Sequence, residues 1–152
     1  MDESDRKLLN EIQSDFPITK RPFEDLGVRI GCSESETLER VKRLKQEGVI
    51  RRIGGNFDSK RLGFATTLCA ARVPHDKLER FVEVVNHYPG VTHHYLRDHS
   101  YNVWFTFVAE DRAMIAQHIE EIIRHTGVPE IINLPAVRTF KIRVDFDIKE
   151  GA

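Results

Sequence analysis

Residues 91–109 read VTHHYLRDHSYNVWFTFVA, and the fold turns on how they are read. Two runs rich in β-branched and aromatic residues, 91–97 and 101–109, flank the tight polar loop Asp98-His99-Ser100. That pattern predicts an antiparallel pair of strands. Upstream, residues 64–73 (FATTLCAARV) have the same strand character. Between them, Pro74 and His75 open a helix carrying Leu78, Phe81, Val82 and Val85 at helical spacing, and Pro89-Gly90 supplies a turn. Downstream, Asp111 caps a helix bearing Met114, Ile115, His118, Ile119, Ile122 and Ile123. Gly127 and Pro129 end that helix, and a last extended stretch covers 131–148. The order β-α-β-β-α-β predicts a ferredoxin-like sandwich. Its sheet carries helices on one face and leaves the other open.

The first 60 residues have another rhythm. Leu8, Leu9 and Ile12 predict a helix over 4–14, with Ser4 as its N-cap and Pro17 beyond its end. A second helix starts at Pro22 and ends at Gly31. Ser33 caps a third, with Glu36 at capping-box spacing and Leu38, Val41 and Leu44 as its apolar stripe. In VIRRIGGNFD (49–58), Val49, Ile50 and Ile53 suggest a strand, Gly54-Gly55 a turn and Phe57 a returning strand. Three short helices and a β-ribbon make a winged helix-turn-helix. The expected class is therefore α+β. A winged helix-turn-helix covers residues 1–60, and a ferredoxin-like βαββαβ domain of ligand-binding type covers 61–152, with the boundary near Asp58–Gly63.

Composition narrows the function classes. The 152 residues carry 23 Lys and Arg against 24 Asp and Glu. A nucleic-acid binder usually shows a basic surplus, which is missing here. The third helix is itself balanced: Glu34, Glu36, Glu39 and Glu47 stand against Arg40, Lys42, Arg43 and Lys45. No apolar run approaches the roughly 20 residues that span a bilayer, and MDESDRKLLNEIQ has no signal-peptide core. Cys32 and Cys69 have no zinc or redox spacing and are read as free thiols, which suits a cytoplasmic protein. No metal site is expected. His118 and His125, seven apart on one helix, lack further ligands and are read as surface residues, as are His75 and His87.

All seven histidines fall after residue 74. Strand periodicity puts His93, Tyr95 and Arg97 on one face, with His99 joining them if the strand persists. Thr92, His94 and Leu96 then point the other way. In the next strand Tyr101, Val103, Phe105 and Phe107 share a face opposite to Trp104. Phe105 and Phe107 read as core, whereas Tyr95 and Tyr101 add a hydrogen-bonding phenol and read as site candidates.

The whole chain resembles the Lrp/AsnC family. LERVKRLKQEGVIRRIGGNFD looks like that family's third helix and wing. Within it, GVTHHYLRDHSYNVWFTF, RRIGGNFDSKRLGF and LPAVRTFKIRVDF resemble the siroheme decarboxylase subunits of haem biosynthesis. That branch usually reads His-Asn-Tyr-x-Arg where this chain has His93-His94-Tyr95-Leu96-Arg97.

The resemblance implies a carboxy-lyase that removes CO₂ from two acetate side chains of siroheme, giving didecarboxysiroheme. The iron tetrapyrrole is the substrate, no cofactor is required for the chemistry, and haem is a further ligand to consider. The implied partner is a related chain in a heterodimer, with no DNA and no membrane. His93 or His94 would be general acid or iron ligand, with His99 a second candidate; Tyr95 and Arg97 would orient carboxylates. Arg51, Arg52, Arg138, Lys141 and Arg143 would meet the substrate's carboxylates, the last three from the final strand, and Tyr101 and Trp104 would wall the ring. The alternative is an Lrp/AsnC-type transcription regulator binding a small ligand or haem.

Overall fold

The computed structural model describes residues 1–55, 57–141, 146, 148 and 149. The chain divides into two compact units: Met1–Gly55 together with Lys141–Ala152, and Asn56–Phe140.

The N-terminal unit is a helix-turn-helix of α1 (Glu3–Ser14), α2 (Pro22–Ile30) and α3 (Glu34–Gln46). Asp2, not Ser4, caps α1. The Asp2 carboxylate accepts from the Asp5 N–H at 2.8 Å, and the Asp5 carboxylate accepts from the Asp2 N–H at 2.9 Å. This reciprocal box satisfies donors at both positions and starts the helix earlier than the apolar pattern indicates. Ser33 caps α3 through the Glu36 N–H at 3.2 Å. The Glu36 side chain does not close a box; it binds Arg40 at 2.8 Å. The turn between α2 and α3 is tight enough that a Cβ on Gly27 would lie 2.6 Å from the Cys32 carbonyl oxygen. Gly31, at φ 77°, makes the left-handed exit.

Leu8, Leu9, Leu26, Ile30, Val41, Leu44 and Ile50 form this unit's core. Beside it lies a buried charge. Asp5 is 1% exposed and accepts from Arg43 at 2.6 Å and Arg40 at 2.9 Å. Arg40 also binds Asp2 at 2.7 Å.

The β-ribbon expected at 49–57 is not found: among the described residues, 49–55 carry no ladder. The N–H groups of Val49 and Ile50 both donate to the Leu44 carbonyl, at 3.0 and 3.1 Å, so they close α3 instead. Ile50 is drawn into the helical core. Two residues of the C-terminal segment bind α1 by paired amides. Gln13 donates to the Phe146 carbonyl at 2.6 Å and accepts from its N–H at 2.9 Å. Asn10 does the same with Ile148, at 3.4 and 3.3 Å.

The second unit runs β1 (Ala65–Ala71), a 3₁₀ turn at His75–Lys77, α4 (Leu78–Asn86), β2 (Val91–Leu96), β3 (Val103–Ala109), α5 (Arg112–Thr126) and β4 (Ile131–Leu134). All strand pairs are antiparallel, in the spatial order β2-β3-β1-β4. This is the ferredoxin-like arrangement. The extended stretch expected over 131–148 pairs only at 131–134 among the described residues.

On one sheet face Cys69, Ala71, Val103, Phe105 and Phe107 pack against Phe81, Val84 and Val85 of α4 and Ile115, Ile119 and Ile122 of α5. Phe105 meets Phe81 and Phe107 edge-on, with centroids 6.2 and 6.4 Å apart. Each such side chain contributes about 1.5–3 kcal/mol by leaving water. Burial pushes the Cys69 thiol up to about 12, so it stays a neutral core thiol. Leu68, Trp104, Thr106 and Leu134 alternate with these core residues and stand on the other face, where no element of this unit covers Leu68 or Leu134.

Candidate functional site

β2 is an edge strand against β3, and its register decides which histidine meets Tyr95 and Arg97. Val91 pairs with Phe107, but His93 pairs with Thr106, so the strand bulges between them. Gly90 permits the close approach that starts this pairing. A Cβ there would lie 2.1 Å from the Val108 carbonyl oxygen, and the Val108 N–H donates to the Gly90 carbonyl at 2.8 Å.

Beyond the bulge, His93 faces Thr106 and Tyr95 faces Trp104, both on the uncovered side. His94 pairs with fully buried Phe105 and so lies on the helix side. The structure therefore brings His93, and not His94, together with Tyr95 and Arg97. Thr92 does not follow the expected alternation. The bulge turns it toward the open face, where its hydroxyl lies 2.7 Å from that of Thr106 and 3.1 Å from His93 Nδ1.

The rings of His93 and Tyr95 are stacked, with centroids 6.5 Å apart and planes 16° from parallel. The Arg97 guanidinium carbon lies 6.0 Å from the Tyr95 centroid and 5.8 Å from that of Trp104. No carboxylate of the described residues pairs with Arg97, and the planar guanidinium fork suits one from outside.

These side chains line adjoining depressions in the uncovered face. One, of about 300 Å³, is bounded by Leu68, His93, Tyr95, Arg97, Trp104 and Thr106. A second, of about 500 Å³, continues from Arg97 and Trp104 to Asp98 and His99. A third, of about 340 Å³, continues from Leu68, His93 and Thr106 toward Thr66 and Leu134. Together they form a shallow groove with a mostly apolar floor, lined by the Arg97 guanidinium and the imidazoles of His93 and His99.

Strand β2 ends at Leu96, and 98–101 lie outside any strand, so His99 enters the groove from a loop. Tyr101 is likewise outside β3 and does not share the core face with Phe105. Its N–H donates to His99 Nδ1 at 3.1 Å, and its carbonyl accepts from Trp104 Nε1 at 2.7 Å. Its ring carries the Arg72 guanidinium carbon 5.4 Å from the centroid. Arg72 was not singled out in the sequence. Its one signal was a charge closing the apolar run FATTLCAA.

The cations expected at a carboxylate rim are divided between the two units. Arg51 and Arg52 are exposed in the N-terminal unit, on the segment expected to be a wing. There they line an apolar cavity of about 790 Å³ with Leu9, Ile12 and Phe16. Arg138 and Lys141 are exposed and outside β4, not in a last strand. Arg138 lies 4.9 Å over the Phe140 ring. Arg143 lies outside the described residues. His118 is not a plain surface residue. It is 27% exposed, its ring stacks on Phe107 at 5.5 Å, and Nδ1 lies 3.2 Å from Glu121. His75, His87 and His125 are exposed. Among the described residues no group of three or more His, Cys, Asp or Glu is placed to hold a metal ion.

Two family models match the chain. Residues 5–51 match the siroheme decarboxylase NirDL-like helix-turn-helix domain, and residues 61–141 match the AsnC-like ligand binding domain. The siroheme decarboxylase alpha subunit of Desulfovibrio desulfuricans is 53% identical over 146 residues, covering 96% of this chain and 84% of that protein. The chain belongs to the siroheme decarboxylase family. The Pseudomonas aeruginosa siroheme decarboxylase NirD subunit, 37% identical, extends the family match over 98% of both chains. Among solved structures, the siroheme decarboxylase NirDL is 32% identical with a TM-score of 0.69; the match covers 97% of this chain and 48% of that one. The same enzyme has been solved with an iron-uroporphyrin III analogue, and that structure is 30% identical with a TM-score of 0.66. An AsnC family transcriptional regulator from Agrobacterium tumefaciens, 24% identical with a TM-score of 0.78, shares the fold.

Proposed function

We propose that the chain is one subunit of a siroheme decarboxylase and that its substrate groove is the uncovered sheet face at His93, Tyr95, Arg97 and Trp104. The observation that carries this reading is the grouping of these four on one face, with Arg97 held on aromatic rings and unpaired with any carboxylate among the described residues. Siroheme is flat, apolar across its ring and fringed with carboxylates. The groove offers an aromatic and aliphatic floor, a planar cation to grip a carboxylate by two oxygens, and an imidazole alongside.

The reaction breaks the C–C bond between a ring-attached methylene and its carboxylate. CO₂ leaves, and the bonding electron pair stays on the methylene carbon, where the conjugated macrocycle spreads it. A proton delivered to that carbon completes the methyl group. The protein's tasks are to hold the carboxylate, exclude water and supply the proton. Arg97 holds, Tyr95 and Trp104 wall the ring, and His93 donates the proton and regains one from solvent. His99, beyond Arg97, serves the neighbouring end of the groove. Electrons stay in balance without an oxidant, so no added cofactor enters the scheme.

A related chain completes the groove. Leu68, Tyr95 and Leu134 are exposed on this face, and the relatives are named as subunits. The helix-turn-helix is assigned a structural role without DNA. Arg40 and Arg43, which would have to reach phosphates, bind Asp2, Asp5, Glu36 and Glu47 instead. The cytoplasm is the proposed compartment, because the chain carries its two cysteines as free thiols.

The test is anaerobic incubation of siroheme with this chain and its related partner, followed by mass spectrometry of the tetrapyrrole. Loss of two CO₂ per molecule is expected. An unchanged mass with a competent partner present overturns the reading.

A further inference from the structure

We propose that Asn102 is a positioning residue that sets His99, Tyr101 and Trp104 in place by substituting its side chain for a missing rung of the sheet. The β1–β3 ladder pairs Ala65 with Ala109 and ends at Ala71 with Val103. Continued two residues further, the same register would put Val73 opposite Tyr101. Val73 has its polar backbone groups on the β3 side, since the N–H of its neighbour Arg72 donates the other way, to Glu130, at 2.9 Å. Tyr101 does not answer them. The Asn102 carboxamide does: Oδ1 accepts from the Val73 N–H at 2.8 Å, and Nδ2 donates to the Val73 carbonyl at 2.9 Å.

The substitution leaves the Tyr101 backbone with both groups to spend on the site. Its N–H fixes the His99 ring through Nδ1 at 3.1 Å, and its carbonyl fixes the Trp104 indole at 2.7 Å. Asn102 also anchors the other end of the loop. Its own carbonyl accepts from the Arg97 N–H at 2.7 Å. One residue thus ties the end of β2, the start of β3 and the exit of β1 together. The loop between them carries a histidine and a tyrosine of the site. A carboxamide is suited to this because it presents one donor and one acceptor side by side, as a peptide group does. An aspartate in its place would turn an acceptor toward the Val73 carbonyl.

The positioning role is independent of the substrate assignment, although its consequence for catalysis rests on that reading. Trp104 is the chain's one tryptophan, so its fluorescence reports on this site alone. In the full chain without substrate, Asn102→Ala should red-shift Trp104 emission and raise its quenching by acrylamide at least twofold. With the partner subunit and siroheme, kcat should fall at least tenfold. Asn102→Asp should behave in the same way. Unchanged emission and quenching in a folded Asn102→Ala protein overturns the proposal, whether or not siroheme turns over. If the variants fail to fold, amide hydrogen exchange of the unaltered protein decides. Slow exchange at Val73 and Arg97, against fast exchange at Asp98 and Ser100, supports the rung; fast exchange at Val73 overturns it.

Discussion

The Arg97 guanidinium carbon lies 5.8 Å from the centroid of the Trp104 ring, on the sheet face that the helices of its unit leave bare. A guanidinium held over an aromatic ring face can still offer N–H groups to a carboxylate. That geometry presents a carboxylate-sized grip beside the imidazole of His93.

Arg97→Lys should therefore weaken substrate binding although it keeps the charge. A lysine loses both the stacking and the two-pronged grip, and a hydrogen bond to a charged group is worth about 1.5–3 kcal/mol. The expected result is a rise in the siroheme Kd of about tenfold or more, read by titrating Trp104 fluorescence. An unchanged Kd would show that Arg97 meets no carboxylate.

Asp5 gives the N-terminal unit an acid-sensitive point. Its interactions with Asp2, Arg43 and Arg40 outweigh the burial that opposes ionisation, and they hold its carboxyl down at about 2 against an ordinary 3.8. Because the folded value is the lower one, its contribution is present above about pH 4 and is lost as pH falls from there through 2. Asp5→Asn should cost on the order of 2 kcal/mol at neutral pH, since it leaves two arginines without their shared anion and both are partly solvated. Urea unfolding at pH 7 and at pH 3 checks this. The difference between the variant and the unaltered protein should shrink at the lower pH.

The same ion pairs predict that the helix-turn-helix does not read DNA. Affinity for a duplex comes mostly from basic side chains meeting phosphates, and Arg40 and Arg43 are already held by carboxylates. A gel-shift titration on the chain's own promoter region at about 150 mM salt, where non-specific binders sit near 10⁻⁴–10⁻⁶ M, should show no specific retardation. A sequence-dependent shift that weakens with salt would restore the regulator alternative.

Most of the fold was legible because it rests on local signals. Pro22, Gly31, Ser33, Asp111 and Gly127 mark helix ends that the structure keeps. Alternation along 103–109 named the buried Phe105 and Phe107 correctly. What failed depends on partners that local pattern does not show. Asp2 outcompetes Ser4 as a cap because Asp5 can answer it. Val49 and Ile50 close α3 rather than form a ribbon because the Leu44 carbonyl takes both N–H groups and the helical core takes the Ile50 side chain. In the site, the bulge after Gly90 decides that His93 is on the open face and carries Thr92 with it; a one-residue register change is invisible to a period-two count. Arg72 and Asn102 went unnoticed because their roles come from the far end of β1, about thirty residues from Asn102 in the chain.

The central claim is that the chemistry lies on the uncovered face, where His93 stands beside Tyr95 and Arg97 while His94 points to the helices. The direct test compares CO₂ release from siroheme by His93→Ala and His94→Ala, each assembled with the related subunit. The account predicts a loss of about 10²-fold or more for His93→Ala, the usual scale for removing a general acid, with His94→Ala retaining most of its activity. Full activity in His93→Ala, or a loss confined to His94→Ala, would contradict it.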